Sequence, residues 1–210
     1  MPQLKIGVLI SGSGTNLQSL IDNIEKGFIN AEISVVISNN ENAYGLERAR
    51  MHNIDAVYIN KKKYDSFEKF NDAIIEEMHS HNVDLVVLAG YLKMLSHKFI
   101  EIYRNRIMNI HPSLIPSFCG KGYYGLKVHE AAVSYGVKMS GATVHFVDEE
   151  ADTGPIILQK TVEVDYNDTA EILQRKVLKI EHDLLPLAVK YFCEGNLEVT
   201  GRKVKIKELK

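Results

Sequence analysis

Cysteine is scarce in this chain, with two in 210 residues. Cys119 and Cys193 stand far apart and form no C-x-x-C pair, which argues against a disulfide framework. No uninterrupted apolar run approaches the 18 residues of a membrane-spanning helix. The opening residues, Met1-Pro2-Gln3-Leu4-Lys5, lack the apolar stretch of a signal peptide, so a cytoplasmic protein without a membrane partner is expected. An excess of one charge is missing as well. Basic residues number 25 and acidic ones 27, for a formal charge of −2. Binding a phosphate backbone needs a basic excess or stripe, so nucleic acid is not an expected partner. No Cys/His/Asp cluster has zinc-like spacing, and no metal is expected. Internal repeats and low-complexity linkers are absent.

What remains is ordinary for a globular protein: 45% hydrophobic and 25% charged residues, over a length suited to one large α/β domain. Apolar runs at residues 5–10, 33–38, 56–59, 84–89 and 107–110 predict strands. Helical patterns at 15–26, 44–52, 66–81 and 96–103 fall between them, which is the βαβ signature. Leu85-Val86-Val87-Leu88-Ala89 is continuously apolar, as a buried parallel strand should be. Beyond residue 110 the character changes. Residues 141–147 and 156–164 predict an antiparallel pair. Asp168 or Thr169 should cap a long final helix, with Glu171 in a capping box, Pro186 as a kink or restart and Gly195 as a C-cap. Residues 197–206 read as a terminal hairpin. The expectation is a single domain over 1–210, with a mostly parallel, Rossmann-like sheet and antiparallel additions. Residues 1–110 form its phosphate-binding βαβ half, and 111–210 carry a catalytic loop, the antiparallel strands and the long helix.

The most informative segment is Met108-Asn109-Ile110-His111-Pro112-Ser113-Leu114-Ile115-Pro116. On a strand, alternation points Asn109 and His111 to the same face, and Pro112 ends the ladder just after them. An amide and an imidazole thus converge where a parallel strand ends, the usual place for a site in an open α/β sheet. Asp152-Thr153-Gly154-Pro155 supplies a carboxylate on a turn that could pair with His111. The set suits acyl-type transfer with a polarised carbonyl and a proton shuttle. Of the acidic run 148–152, only Asp152 is singled out; Asp148, Glu149 and Glu150 read as a solvated loop.

Other candidates carry two readings. Ser11-Gly12-Ser13-Gly14-Thr15-Asn16 could bind an anion at a helix N-terminus or be a tight turn with a Ser/Thr N-cap. It is no Walker A motif, and Leu17 occupies the third glycine position of a dinucleotide fingerprint. Among the other histidines, His79 and His81 do not share a helix face, and His52 and His97 lie near helix ends. His145, between Val144 and Phe146, reads first as a buried, hydrogen-bonded core residue. In Tyr91-Leu92-Lys93-Met94-Leu95 the apolar side chains read as core and Lys93 as surface. Glu181 reads as an exposed helical acid. The glycine-rich residues 116–125 could close over a substrate or be a passive surface loop.

NIHPSLIP followed by HFVDEEADTGPII resembles the formyltransferase family that uses 10-formyltetrahydrofolate. With SGSGTNL at the N-terminus, the chain is most similar to those members that act on glycinamide ribonucleotide in purine synthesis. The motifs keep the family's order from Lys5 to about Gly195. The resemblance implies formyl transfer from 10-formyltetrahydrofolate, as co-substrate, to that ribonucleotide, in a monomer or homodimer. It implies that Asn109, His111 and Asp152 are catalytic, the aspartate raising the histidine's pKa. Gly12, Ser13, Gly14, Thr15 and Asn16 would hold the ribose phosphate, with Glu181 also at the ribonucleotide. Leu92, Lys93, Met94 and Leu95, with Asn109 and His145, would bind the folate. Phe67 stands where many members have a basic residue, leaving Lys61, Lys62 and Lys63 as substitutes. Cys119 replaces a frequent proline. Rival readings are a formyltetrahydrofolate hydrolase, a methionyl-tRNA formyltransferase, which would need a larger chain with a basic part, and a non-catalytic nucleotide-binding domain.

Overall fold

The structure is a computed structural model that describes residues 3–207. Met1 and Pro2, part of the stretch read for a leader, lie outside the described residues. The chain divides into two compact units, Met1–Met108 and Asn109–Lys210.

The first unit contains strands β1 (Leu4–Ile10), β2 (Ala31–Ser38), β3 (Asp55–Tyr58) and β4 (Leu85–Leu88), in the order β3-β2-β1-β4. All the pairs are parallel. Helices α1 (Thr15–Glu25), α2 (Tyr44–Met51), α3 (Phe67–Ser80) and α4 (His97–Ile102) connect or follow them. Every residue of β4 and the last five of β1 are buried, so these strands are apolar on both faces. In α3 the buried positions Phe70, Ile74, Ile75 and Met78 follow the helical period, and the Ser66 hydroxyl caps its start by accepting from the Lys69 N–H. Just past α2, α3 and α4, Asn53, Asn82 and Asn105 adopt positive φ. Asparagine tolerates that left-handed turn better than most residues.

The second unit contains most of β5 (Ile107–His111), then α5 (Leu126–Tyr135), β6 (Met139–Phe146), β7 (Ile156–Glu163), α6 (Ala170–Cys193), β8 (Leu197–Thr200) and β9 (Lys203–Ile206). Its strand order is β5-β6-β7-β9-β8. The β6–β7 and β8–β9 pairs are antiparallel, as the close spacing predicts.

Three details of this unit differ from the sequence reading. Pro186 does not restart α6, which runs unbroken from Ala170 to Cys193 with the proline buried. Packing of that apolar face outweighs one missing backbone donor. Thr169 is the N-cap, and Glu171 sits too early for a capping box; its carboxylate instead accepts from the Thr169 hydroxyl at 2.7 Å. Helix α5 has no counterpart among the predicted elements. Gly195 does end α6: its N–H reaches the Phe192 carbonyl and the Asn196 N–H reaches Tyr191, a Schellman pair.

The β6–β7 register slips between Val144 and His145, and Gly154 lies against the irregular end. A Cβ added at Gly154 would stand 1.8 Å from the Phe146 carbonyl oxygen, a rigid backbone atom. Gly154→Ala should therefore destabilise the protein by roughly 2–3 kcal/mol or more, read as a fall in the denaturant midpoint. A wild-type midpoint would show that this turn is not held so closely.

Candidate active site

In the second unit Asn109, His111, His145 and Asp152 come together. Alternation along β5 puts Asn109 and His111 on one face, and both imidazoles are buried, His111 at 4% exposure and His145 at 1%. Asp152 lies on the loop between β6 and β7 with φ 59°, in the left-handed region. Its Oδ2 accepts the Gly120 N–H at 2.8 Å and lies 3.5 Å from His111 Nδ1. Its Oδ1 lies 3.4 Å from Asn109 Nδ2 and 3.6 Å from His145 Nε2. The acidic run before it is not wholly solvated, because Asp148 accepts from the Thr153 hydroxyl at 2.6 Å and braces the turn.

Backbone carbonyls assign the histidine tautomers. His145 Nδ1–H donates to its neighbour's carbonyl, Phe146 O, at 2.8 Å, so its Nε2 accepts from Asn109 Nδ2 at 3.1 Å. His111 Nε2–H donates to Phe118 O at 2.9 Å, which leaves Nδ1 facing Asp152. Burial lowers the His111 pKa, and the opposing pull of the Asp152 charge and the Phe118 carbonyl does not recover it, with His145 lowering it further. The upward influence of Asp152 is therefore present, but desolvation exceeds it and the resting ring is neutral. Burial pushes the Asp152 carboxyl the other way, upward, yet His145, His111 and the Gly120 N–H together hold it below the usual carboxylate range.

His129 on α5 is a buried polar group that no motif or spacing singles out. Burial, and then the nearby His111, depress its pKa to about 4, and its Nδ1 has no hydrogen-bond partner. Glu181 is also buried, at 8% exposure on α6, so the exposed-acid reading does not hold. Residues 116–125 precede α5 and include Phe118 at φ 50°, whose ring packs edge-on against Tyr123 and Tyr135.

In the first unit, the loop between β1 and α1 is not a Ser/Thr-capped turn. Gly14 is the N-cap at φ 70°, and no side chain caps the helix. Gly12 O accepts the Gly45 N–H at 3.1 Å. A Cβ on Gly14 would stand 2.7 Å from Gly45 Cα, so only glycine fits this crossing. Arg48 donates to the Ser13 carbonyl at 2.9 Å and to Gln18 at 3.0 Å. Thr15 opens α1, and Asn16 is buried. Ser11 Oγ donates to Asn39 Oδ1 at 2.6 Å and accepts the Leu92 N–H at 2.9 Å, joining this loop to the one after β4. On that second loop only Tyr91 and Leu95 are buried, while Leu92 and Met94 are more than half exposed and Lys93 is exposed. The core reading thus fails for Leu92 and Met94, because the chain past Gly90 turns outward at φ 76°. Lys61 Nζ lies 5.8 Å from the centre of the Phe67 ring, a cation–π arrangement. Among the described residues, no group of three His, Cys, Asp or Glu side chains is placed to hold a metal, and no helix is long and apolar enough to cross a membrane.

Replacing Asp152 by Asn removes the full negative charge that lies 3.5 Å from His111 Nδ1. The His111 pKa should fall further, seen as a titration midpoint at lower pH in NMR; an unchanged midpoint would make Asp152 a turn residue only. His129 sets an acid limit on stability. Unfolded, it titrates near 6.5; folded, at about 4. Stability present above pH 6.5 should fall as the pH drops towards 4, by up to about 3 kcal/mol from this group, since only the unfolded chain gains the proton in that window. His129→Leu should flatten that part of a plot of unfolding free energy against pH; an unaltered slope would exclude His129 as its source.

The formyl transferase family matches residues 4–189. A phosphoribosylglycinamide formyltransferase from Haemophilus influenzae is 43% identical over 195 residues, covering 93% of this chain and 90% of its own length. The crystal structure of glycinamide ribonucleotide transformylase 1 from Symbiobacterium toebii superposes with a TM-score of 0.94 at 45% identity, covering 98% of this chain and 95% of that one. A formyltetrahydrofolate deformylase from Pseudomonas syringae is more distant, with a TM-score of 0.88 at 28% identity, and this chain covers 66% of it. The mixed α/β architecture, with parallel strands first and antiparallel strands after, is therefore shared with solved members. On a match over nearly its whole length, this chain belongs to the formyl transferase family.

Proposed function

We propose that the chain transfers the formyl group of 10-formyltetrahydrofolate to the amine of glycinamide ribonucleotide, N1-(5-phospho-D-ribosyl)glycinamide, a step of de novo purine synthesis. The observation that carries this reading is the meeting of Asn109, the buried His111 and Asp152 in a formyltransferase chain whose 43% and 45% identical relatives are named for that ribonucleotide.

The bound folate supplies a formyl group attached to nitrogen. A bond forms between the ribonucleotide amine and the formyl carbon, and the bond from that carbon to the folate nitrogen breaks. Asn109 is anchored through Nδ2 to His145 and, by a longer 3.4 Å contact, to Asp152. An oxygen that gathers negative charge can compete for the weaker of these bonds. The neutral imidazole of His111 takes up the amine proton at Nδ1, where Asp152 stabilises the resulting imidazolium. It then returns a proton to the leaving nitrogen. The loop Gly12, Ser13, Gly14, Thr15 and Asn16 offers the uncapped amides of α1 to the ribose phosphate. A single phosphate suits it better than a dinucleotide. Glu181 serves the ribonucleotide as a buried acid.

For the folate, Leu92 and Met94 provide apolar side chains in solvent, which a flat heterocycle can cover, and Lys93 and Leu95 complete the loop. His145 supports the folate side through Asn109. Lys61, placed over Phe67, supplies positive charge where family members carry a basic residue. Both substrates are small molecules, no metal takes part, and the reaction belongs in the cytoplasm.

A deformylase would use the same amide, histidine and aspartate with water as nucleophile. Coverage and identity favour the transferase. With 10-formyltetrahydrofolate alone, formate release should be very slow. Adding glycinamide ribonucleotide should give its N-formyl derivative and tetrahydrofolate in equal amounts, and His111→Ala should cut that turnover by roughly 10²–10⁴. Rapid formate production indifferent to the ribonucleotide would replace this reading with the hydrolase.

A further inference from the structure

The Thr143 hydroxyl is completely buried on β6 and forms three hydrogen bonds. It donates to the Ser113 carbonyl at 2.6 Å and accepts from the Ile115 N–H at 3.1 Å and from Gln159 Nε2 at 3.0 Å. Gln159, its register partner on β7, gives a second bond from Nε2 to the Ile115 carbonyl at 3.0 Å. These bonds grip residues 113 and 115 of the segment that leaves His111. The far end of the segment comes back to its start, because Phe118 O accepts the proton of His111 Nε2 at 2.9 Å. Between the two, the Ser113 hydroxyl donates to Ser117 O at 2.6 Å and the Ser117 N–H donates to Leu114 O at 3.0 Å.

The segment is therefore a closed circuit. It begins at the His111 backbone, is clamped from outside by Thr143 and Gln159, and ends on the His111 ring. Phe118 occupies the left-handed region at φ 50°, where a bulky residue stays only if its surroundings hold it. We propose that Thr143, backed by Gln159, is a positioning residue for His111. It fixes the Phe118 carbonyl, which keeps the ring's resident proton on Nε2 and reserves Nδ1 for the proton that moves. The proposal rests on the reading of His111 as the proton carrier. Without the clamp, the carbonyl and the ring can part, the two neutral tautomers become closer in energy, and Nδ1 is blocked part of the time.

Thr143→Val keeps the volume and removes the hydroxyl; Thr143→Ser keeps the hydroxyl. Valine should lower kcat roughly 10–100-fold, the scale on which a small misplacement acts, with KM for both substrates unchanged. The ¹⁵N shifts of His111 should move from the pure Nε2–H pattern towards a mixture, and the acid limb of the kcat–pH profile should shift. Serine should restore all three. A residue needed only for packing would lower the melting temperature and leave the shifts, the profile and kcat of the folded fraction as they were, which would overturn the proposal.

If the valine variant does not fold, Gln159→Met, on the neighbouring strand, decides instead. A reduced kcat with mixed-tautomer ¹⁵N shifts supports the proposal, and wild-type values overturn it. His111→Ala run beside these separates the two levels. Near-normal turnover there removes the proton-carrier reading and this inference together, whereas an inactive His111→Ala beside a normal Thr143→Val removes this inference alone.

Discussion

A carboxylate taken out of water must recover its lost hydration from donors and opposite charge, or it takes up a proton. Asp152 recovers it from three directions. Two are hydrogen-bond donors, the Gly120 N–H from the loop before α5 and the Asn109 amide from β5; the third is the imidazole pair, His111 at 3.5 Å and His145 at 3.6 Å, whose charge on gaining a proton it would face. Each donor lies on a different stretch of chain, so the position of this one charge is also the condition for those stretches to meet. The left-handed backbone at Asp152 costs of order 1–3 kcal/mol, and the bonds that the residue makes there are what offset it. Asp148, Thr153 and the close seat of Gly154 then leave the turn little room to relax.

The balance at His111 follows from the same burial. Low polarity around the ring strengthens its attraction to Asp152 and at the same time penalises its charge. The penalty is the larger, so the ring rests neutral with one nitrogen committed to Phe118. A group that rests neutral and is stabilised on gaining a proton suits passing one on.

Much of this was legible in the residues. The parallel strands of the first unit stand out because strands covered on both faces must be apolar throughout, and Leu85–Leu88 is. The two-residue step from Asn109 to His111, closed by Pro112, puts both on one face of any strand. Other features were hidden for stated reasons. Helix α5 buries only Val128, His129 and Ala132, too few for a clear period, and its only punctuation is Gly125 and Gly136. The net direction of the His111 shift depends on burial, which a sequence does not display. Leu92 and Met94 read as core because apolar residues usually are, and only the outward course of the chain after Gly90 reverses that. Arg48, Gln18 and Ser11 hold loops by contacts 28 to 81 positions apart, beyond any local pattern.

The crossing of Gly14 over Gly45 reaches further than its two residues. With Gly12 O tied to the Gly45 N–H and Arg48 drawn to the Ser13 carbonyl, the loop after β1 is ordered by folding, before any ligand arrives. Its conformational entropy is already lost, and a small anion meeting it need not bear that cost. Affinity at this loop thereby becomes heritable at a distance. A change at position 45 or 48, on a helix that need touch no phosphate, would loosen the loop and return the cost of ordering to the binding step, so selection for a ligand would act on residues outside its reach.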